Sequence, residues 1–267
     1  CKNVEIKGVT MMNPAFWTQT YDQCENLLID GITVHSRAYW NNDGMDIVDC
    51  NGALIQNCYV DATDDAICLK SHSVENIVVD SLRSINTGNP IYLVVGERRE
   101  GRRSRMDNVH ISNVYAEVPA TKPDAGYDYE GPTEDNPRNV SPSGIVGLQD
   151  NKITNVSIEN VEIVYPGGGN PLYAKVGLDE LDKVPEMPKA YPEFSQHKEL
   201  PAWGFYVRHV DGVTFKNVKL TALKKDYRPA IVLDDVHNGA FTKIKVVEPS
   251  AGKKEKIHVY KSTKIKK

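Results

Sequence analysis

The stretch MDNVHISNVY, residues 106–115, decides the fold because apolar and polar residues alternate along it around an Asn. Its pattern, x-x-Asn/Gly-apolar-x-apolar-x-x-apolar-x, recurs along the chain, and the copy at 236 matches least well. The other copies are CKNVEIKGVT (1–10), CENLLIDGIT (24–33), CNGALIQNCY (50–59), VENIVVDSLR (74–83), ITNVSIENVE (153–162), VDGVTFKNVK (210–219) and VHNGAFTKIK (236–245). Alternation directs one side of each strand inward, and a short strand cannot bury that side alone. Stacked copies bury it continuously, so the repeat predicts a solenoid.

A second strand-like run lies between successive copies of the repeat. These runs are Phe16–Thr20, Met45–Val48, Ala66–Lys70, Ile91–Val95, Gly144–Leu148, Phe205–Arg208 and Ala230–Leu233. Each coil therefore contains at least two short strands separated by turns. The sequence predicts an all-β fold, a right-handed parallel β-helix of about eight coils, as a single domain over residues 1–267. A leucine-rich repeat is rejected because its Leu-rich signature is absent.

Two residue types recur at fixed positions of the repeat. Asn at the third position tolerates the left-handed backbone region, and its amide can bond to the next coil, so a stacked Asn ladder is expected. Cys1, Cys24 and Cys50 share one position, which favours a buried thiol stack over a disulfide or a metal site. The five cysteines are odd in number and show no close CxxC spacing.

Two long insertions and a basic end interrupt this regularity. Pro119–Ser143 and Tyr165–Pro201 are expected to be surface loops, which on a solenoid commonly wall a groove, and Lys175–Lys183 is expected to hold one helical turn. Residues 253–267 carry seven Lys and one Glu and are predicted to form a solvated basic tail. The chain starts at Cys1 within a strand-like pattern, so N-terminal coils are expected to be missing.

Charge and hydropathy narrow the range of partners. The net charge is −4, and the tail contributes +6, so the remainder carries −10. An acidic body argues against nucleic acid as a partner. No window approaches 18 uninterrupted apolar residues, which excludes a membrane-spanning helix.

The densest acidic stretch is Asn41-Asn42-Asp43-Gly44-Met45-Asp46, followed by Asp61-Ala62-Thr63-Asp64-Asp65-Ala66. Asp43 and Asp65 are 22 residues apart, close to one coil, and coils stack at roughly 4.8 Å. Asp43 is therefore expected beside Asp64 or Asp65. Adjacent carboxylates repel, one pKa rises, and a protonated acid beside an ionised carboxylate is what glycosidic cleavage requires. The alternative is that these residues only form turns.

The two motifs NNDGMDI and DATDDAICLKS resemble the paired motifs of glycoside hydrolase family 28, the polygalacturonases. The resemblance implies a right-handed parallel β-helix and inverting hydrolysis without cofactor or metal. It implies that Asp64 is the general acid, and that Asp43 and Asp65 hold and activate the attacking water. Asn42 would orient this cluster. Lys70 would contact a substrate carboxylate or, equally well, form a salt bridge at the rim.

Two positions depart from the family pattern. The family commonly has Gly-His-Gly one coil further on, where this chain has Gly88-Asn89-Pro90, and Asn cannot titrate. The family commonly has Arg-Ile-Lys on a later strand, whereas the stretch Gly144–Leu148 has no charge. Recognition of a uronate by that route is therefore not expected.

Other residues are candidates for the missing substrate contacts. Arg98 follows the strand after Asn89 most closely, and Arg suits bidentate carboxylate binding, although a solvated loop explains it as well. Trp40 precedes the first motif and would stack on a sugar or pack under a loop. His72 follows Lys70. Residues 203–209 form a core strand by their pattern, and Arg208 is the candidate in it to face the cleft.

The favoured function is an inverting glycoside hydrolase acting on α-linked, galacturonic-acid-containing pectic poly- or oligosaccharides. Because such polymers are met outside the cytoplasm, an extracellular or periplasmic location is expected. One alternative is a pectic-oligosaccharide-binding protein of impaired activity, favoured by the two departures. Another is a calcium-dependent polysaccharide lyase, since clustered Asp can bind Ca²⁺. The sequence does not indicate an oligomeric state.

Overall fold

The computed structural model describes residues 1–39, 41–71, 73–97, 104–120, 141–189, 200–249 and 255–267. In these ranges the regular structure is strand apart from two 3-10 turns. The strands are β1 (Lys2–Lys7), β2 (Thr10–Met12), β3 (Thr20–Asp22), β4 (Glu25–Asp30), β5 (Thr33–Ser36), β6 (Met45–Val48), β7 (Asn51–Ala62), β8 (Asp65–Ser71), β9 (Ser73–Ile85), β10 (Asn89–Val95), β11 (Arg105–Glu117), β12 (Ser143–Val146), β13 (Ile153–Tyr165), β14 (Phe205–Ala222), β15 (Ile231–Val247), β16 (Ile257–Tyr260) and β17 (Thr263–Lys266). None of the described residues forms a helix that is long and apolar enough to cross a membrane.

The named strands stack in parallel, each on its counterpart in the next coil. Ladder A, the stack that positions the candidate site, consists of β3, β6, β8, β10, β12, the start of β14, the start of β15 and β16. The repeat copies form the other stacks, in which β4, β7, β9, β11 and β13 follow one another. The predicted parallel β-helix is confirmed.

The core follows from the alternation in ladder A. Ile47, Leu69, Leu93, Ile145 and Val207 occupy one register position and are all fully buried. The residues on either side of them along each strand point to the outer side of the ladder. Each strand of ladder A thus has one side in the core and the other on the outer face.

The Asn ladder has the geometry that the repeat predicts. Asn3, Asn26, Asn76 and Asn108 adopt φ angles of 56–58°, in the left-handed region. The Asn26 amide donates to Asn3 Oδ1 at 3.0 Å, and the Asn108 amide donates to Asn76 Oδ1 at 2.7 Å. A second ladder at the next turn, in which the Asn217 amide donates to Asn160 Oδ1 at 2.8 Å, was not foreseen from the repeat.

The cysteine stack is present only in part. Cys24 and Cys50 are buried free thiols, and the Cys24 N–H donates to Cys50 Sγ at 3.4 Å. Cys1 is exposed, so its predicted burial is wrong. It precedes β1 and has its N-terminal ammonium bonded to the Gln23 carbonyl instead of a position in the core.

The basic C-terminal segment is not a free tail. From residue 257 onward it forms β16 and β17, which pair with β15 through registers such as Ile231↔Ile257 and Gly239↔Ile265. The prediction of a solvated end is therefore wrong for the backbone. Alternation explains the difference, because Val259 and Ile265 pack against the core while Lys264 and Lys266 remain exposed.

The second insertion covers part of ladder A instead of only bordering it. Residues 171–189, here called the covering segment, contain two 3-10 turns, Pro171–Tyr173 and Leu181–Lys183. Leu181 and Val184 are buried against outward-facing residues of ladder A, together with Leu200 and Ala202. The outward residues beneath them are Cys68, Tyr92, Val94, Val146, Tyr206 and Val232. Of the first insertion, residues 121–140 lie outside the described ranges.

Candidate active site

Two adjacent rungs of ladder A bring the acidic motifs together. Asp43 lies just before β6, and Asp64 and Asp65 lie at the start of β8. The Gly44 N–H donates to the Asp65 carbonyl at 2.8 Å, which aligns the two motifs. A Cβ at Gly44 would collide with the Ala66 carbonyl oxygen, so the close approach requires glycine there.

The three predicted carboxylates form one cluster. One oxygen from each of Asp43, Asp64 and Asp65 lies within 4.8 Å of the others. The residues are only 3 %, 2 % and 1 % exposed. The stacking argument therefore placed these side chains correctly, although it did not anticipate such complete burial.

Lys70 and Asp46 complete this group, here called the carboxylate cluster (Asp43, Asp46, Asp64, Asp65 and Lys70). Lys70 Nζ lies 2.5 Å from Asp46 Oδ1 and 3.4 Å from Asp43 Oδ2, and 5.4 Å from the centroid of the Trp17 ring. Lys70 is 3 % exposed, so its ion pairs are internal and not at the rim. Asp46 was missed as a site residue. The sequence offered a signal for it: Asp46 alternates to the outer face of the run Met45–Val48, which lies one coil before the run that contains Lys70.

The electrostatics of this cluster favour retained protons. Burial, and then the charges of Asp64 and Asp46, raise the pKa of Asp43 well above its ordinary value. Burial also raises the pKa of Asp46, although Lys70 opposes it. Burial by itself would lower the pKa of Lys70, but the neighbouring acidic groups, Cys68 first among them, raise it well above its usual range. The cluster thus holds a carboxylic acid beside other acidic groups and a charged ammonium.

Asn42 does not contact the carboxylates in the way that the resemblance implies. Its amide donates to the carbonyls of Pro14 and Phe16, each at 3.1 Å, and its Oδ1 accepts from the Tyr39 N–H at 2.9 Å. Asn42 therefore fastens the loop before β3, and it affects Asp43 through the backbone. The Asn42 side chain makes these backbone hydrogen bonds in place of the predicted contact to the carboxylates.

Asn89 is likewise committed to backbone groups. It lies in register with Asp65, at the position expected for the family's His. It is fully buried, and its amide donates to the Pro142 carbonyl at 3.0 Å while its Oδ1 accepts from the Ile91 N–H at 3.2 Å. The predicted substrate contact from this side chain is therefore not supported.

The strand that lacks the basic motif is β12, whose outward residues are Gly144 and Val146. One coil further, Arg208 occupies the register position of Val146. Arg208 is 4 % exposed and lies 3.1 Å from Asp234 and 2.9 Å from Glu186. Arg208 is thus used inside the protein and does not replace the missing motif.

Arg208 belongs to a second buried group, here called the Arg208 cluster (Arg208, His209, Glu186, Asp234 and Asp235). His209 Nδ1 lies 2.7 Å from Asp235 Oδ2, and its Nε2 lies 2.8 Å from Glu186 Oε1. Burial lowers the pKa of His209, but the hydrogen bonds to Glu186 and Asp235 outweigh it, so the pKa is raised. The cluster ties the covering segment to ladder A.

Three predicted site residues, Trp40, His72 and Arg98, lie outside the described residues. Their predicted roles in substrate binding remain predictions.

Comparisons with known proteins support the resemblance. Residues 1–120 match the family model described as glycosyl hydrolases family 28. The resemblance to this family is thereby confirmed for the segment that carries both acidic motifs. No curated protein matches the chain.

Two solved structures align with nearly the whole chain. One is the family 28 exopolygalacturonase of Yersinia enterocolitica, with 14 % identity and a TM-score of 0.47 over 99 % of this chain and 45 % of that one. The other is the endo-xylogalacturonan hydrolase of Aspergillus tubingensis, with 15 % identity and a TM-score of 0.50 over 98 % of this chain and 63 % of that one. The chain thus spans less than two thirds of either structure. The second likeness agrees with the parallel β-helix fold.

Proposed function

We propose that the protein is an inverting glycoside hydrolase that cleaves α-linked, galacturonic-acid-containing pectic poly- or oligosaccharides. The observation that carries the proposal is the meeting of Asp43, Asp64 and Asp65 within 4.8 Å, in a segment that matches the family 28 model. Such polymers occur outside the cytoplasm, so the site of action is extracellular or periplasmic.

In this proposal Asp64 gives its proton to the leaving glycosidic oxygen as the bond to the anomeric carbon breaks. A water held by Asp43 and Asp65 attacks that carbon from the opposite side, and the ionised member of the pair accepts its proton. The ammonium of Lys70, 3.4 Å from Asp43, lowers the electrostatic cost of the negative charge that the Asp43–Asp65 pair carries before it accepts this proton. No other group is needed to balance protons or electrons.

The stereochemistry is a separate part of the proposal. Inverting glycosidases usually have carboxyl groups about 6.5–9.5 Å apart, which leaves room for the water. Here one oxygen of each carboxylate lies within 4.8 Å of the others, which is nearer to the separation of about 5–5.5 Å in retaining enzymes, so inversion rests on the resemblance and is decided by experiment. Proton NMR during hydrolysis reports the configuration of the first product: an inverted anomer is expected, and a retained anomer would refute inversion.

The decisive experiment measures sugar release from galacturonan and rhamnogalacturonan oligosaccharides. The variant is Asp64→Asn, which keeps the size of the side chain but removes its proton. Asp150→Asn, at an exposed turn, is the matched control. Equal release by the wild type and Asp64→Asn would exclude Asp64 as the general acid.

A binding protein of impaired activity is the second candidate. It is favoured by the burial of the cluster, by the Asn89 contacts to backbone and by the uncharged strand β12. Isothermal calorimetry with the same oligosaccharides separates the two candidates. Tight binding without turnover would favour the binding protein.

The calcium-dependent lyase has less support. Three carboxylates offer oxygen ligands that suit Ca²⁺. A lyase also needs a base, and Lys70 is already held 2.5 Å from Asp46 with a raised pKa. Loss of activity on chelation, with an unsaturated product that absorbs ultraviolet light, would favour the lyase.

A further inference from the structure

A cavity of about 150 Å³ lies between the covering segment and the turn before β15. Residues 174–178 form one wall, residues 227–229 form the other, and Leu200 and Pro201 complete the lining. Pro229 precedes β15, whereas Asp65 begins β8, four rungs earlier in ladder A. At roughly 4.8 Å per rung the cavity lies about 19 Å from the carboxylate cluster.

One wall is held by a buried ion pair. Arg228 is 2 % exposed, and its guanidinium bonds to both oxygens of Asp226 at 2.9 and 3.0 Å. The same guanidinium donates to the Leu200 carbonyl at 3.1 Å, and Asp226 accepts from the Gly169 N–H at 2.9 Å. Three separate segments are thereby fixed together, so this wall is preorganised.

The opposite wall is fastened to the last coil. His258 Nε2 lies 2.9 Å from the Leu178 carbonyl, and Tyr260 donates to Asp182 at 2.8 Å. Lys261 forms an ion pair with Asp182 at 2.5 Å. The cavity therefore has two anchored walls, and the C-terminal coil helps to form it.

The lining combines apolar surface with two cations, of which Arg228 is bonded to Asp226 and to the Leu200 carbonyl. Val176, Leu178 and Pro229 are apolar, and Tyr227 is 38 % exposed. Lys175 is exposed and makes no ion pair with any residue in the described ranges. An engineered cavity of about 150 Å³ takes up benzene, so the apolar face of one six-membered ring fits here, while the hydroxyls of a sugar must stay in contact with solvent at the exposed side that Lys175 and Tyr227 line. Tyr227, whose ring centroid lies 5.8 Å from Arg228 Cζ, and Lys175 both line the cavity, so an aromatic ring and an ammonium are available to a ligand that has an apolar face and a carboxylate.

We propose that this cavity binds one uronate residue, with its ring against Tyr227 and Pro229 and its carboxylate on Lys175. The choice of a uronate rests on the function proposed above, whereas the ring size and the charge rest on the cavity itself. Bound there, a distant part of the polymer remains tethered to the protein between cleavage events, which raises its effective concentration at the carboxylate cluster.

The experiment titrates ¹⁵N-labelled Asp64→Asn protein with galacturonate and with its hexamer, so that binding is read without turnover. Shifts are expected at the backbone amides of Lys175, Gly177 and Arg228. Lys175→Ala should weaken galacturonate binding at these amides about tenfold, or about 1.4 kcal/mol. Lys225→Ala, an exposed Lys outside the lining, should not change it.

The aromatic wall has its own pair of variants. Tyr227→Ala should weaken binding about five- to tenfold because ring stacking is lost, and Tyr227→Phe should retain it. Dispersed amide spectra verify that each variant is folded. Lys175 is exposed, so its variant keeps the test valid if Tyr227→Ala unfolds.

Several results would overturn the proposal. Equal binding of neutral galactose would remove the role of the carboxylate. Benzoate binding without galacturonate binding would indicate an aromatic acid instead of a sugar. Absence of shifts at these amides would exclude the site. A lack of hydrolysis by the wild type would refute the proposed function and leave this binding result intact.

Discussion

The two buried charge clusters of ladder A differ in how their charges are balanced. The carboxylate cluster has four acids and one Lys, and the pKa of Asp43 is raised well above its usual range. The Arg208 cluster pairs Arg208 and His209 with three acids; the pKa values of Glu186 and Asp235 are lowered, that of Asp235 to about 2, whereas burial raises the pKa of Asp234 against the opposing charge of Arg208. Unbalanced charge is costly for folding and is therefore typical of reactive sites, whereas balanced charge fastens a structure.

The largest expected difference between the clusters is in catalysis. Asp64→Asn should lower kcat by about 10²–10⁴-fold, because general acid–base catalysis contributes roughly that factor. Glu186→Gln, in the Arg208 cluster, should change kcat by less than about threefold. Initial rates on a galacturonate oligomer measure both, and a similar loss in both variants would contradict the division of roles.

The next effect concerns the free energy of unfolding. Arg208→Met should destabilise the protein by about 3–5 kcal/mol because it leaves Asp234 and Glu186 without their buried partner. Arg105→Met removes an exposed ion pair to Asp107 and should cost less than about 1 kcal/mol. Urea unfolding measures both values. A small cost for Arg208→Met would show that the Arg208 cluster does not fasten the covering segment.

A third test replaces one acid in each cluster, and the resulting changes in the stability of the folded protein should have opposite signs. Asp43→Asn should stabilise the protein at pH 8 by about 1–3 kcal/mol, since it removes an acid whose pKa is raised in the folded state. Folding takes up a proton at Asp43, so this gain should disappear as the pH falls towards 3.8. Asp235→Asn should destabilise at pH 8 by about 1–2 kcal/mol, and its effect should disappear as the pH falls towards 2, since the pKa of Asp235 is lowered to about 2. Thermal unfolding at pH 8 gives the two signs, at pH 4 the loss of the Asp43→Asn gain, and near pH 2 the loss of the Asp235→Asn effect; equal signs at pH 8 would refute the contrast.

The smallest effect is a pH dependence that arises from His209. Its pKa is raised above 6.5 in the folded state, so its contribution to stability is complete below pH 6.5 and is lost as the pH rises through the folded pKa. Wild-type protein should lose about 1 kcal/mol more than His209→Gln between pH 6 and pH 9. Urea unfolding at the two pH values gives the difference, and parallel losses would show that His209 is neutral in the fold.

Much of the fold was predictable because the repeat is local. The third-position Asn predicted left-handed turns and amide ladders, as found at Asn26 and Asn108. Asp43 and Asp65 are separated by about one coil in sequence, which predicted that Asp43 lies beside Asp64 and Asp65. Both predictions need only the number of residues per coil and the rung spacing, which the sequence contains.

Side-chain partners within the site were less predictable. Asn42 and Asn89 bind backbone carbonyls of Phe16 and Pro142, which lie 26 and 53 residues away along the chain. Lys70 lies on the outer face of ladder A but is buried there in an ion pair with Asp46 instead of reaching solvent. The partner of such a side chain is the group that lies nearest to it in the folded protein. The number of residues between two groups along the chain does not give that distance.

The sequence by itself determined the parallel coils, the turn ladders and the juxtaposition of three acids, since each follows from a repeated period. The tertiary structure decided how deeply those acids are buried, which side chains neutralise them, and that residues 171–189 lie over ladder A. It also turned the basic end into the final coil. The physical reason is that a period sets which residues stack, whereas burial and ion pairing depend on non-repeating segments that meet only in the folded chain.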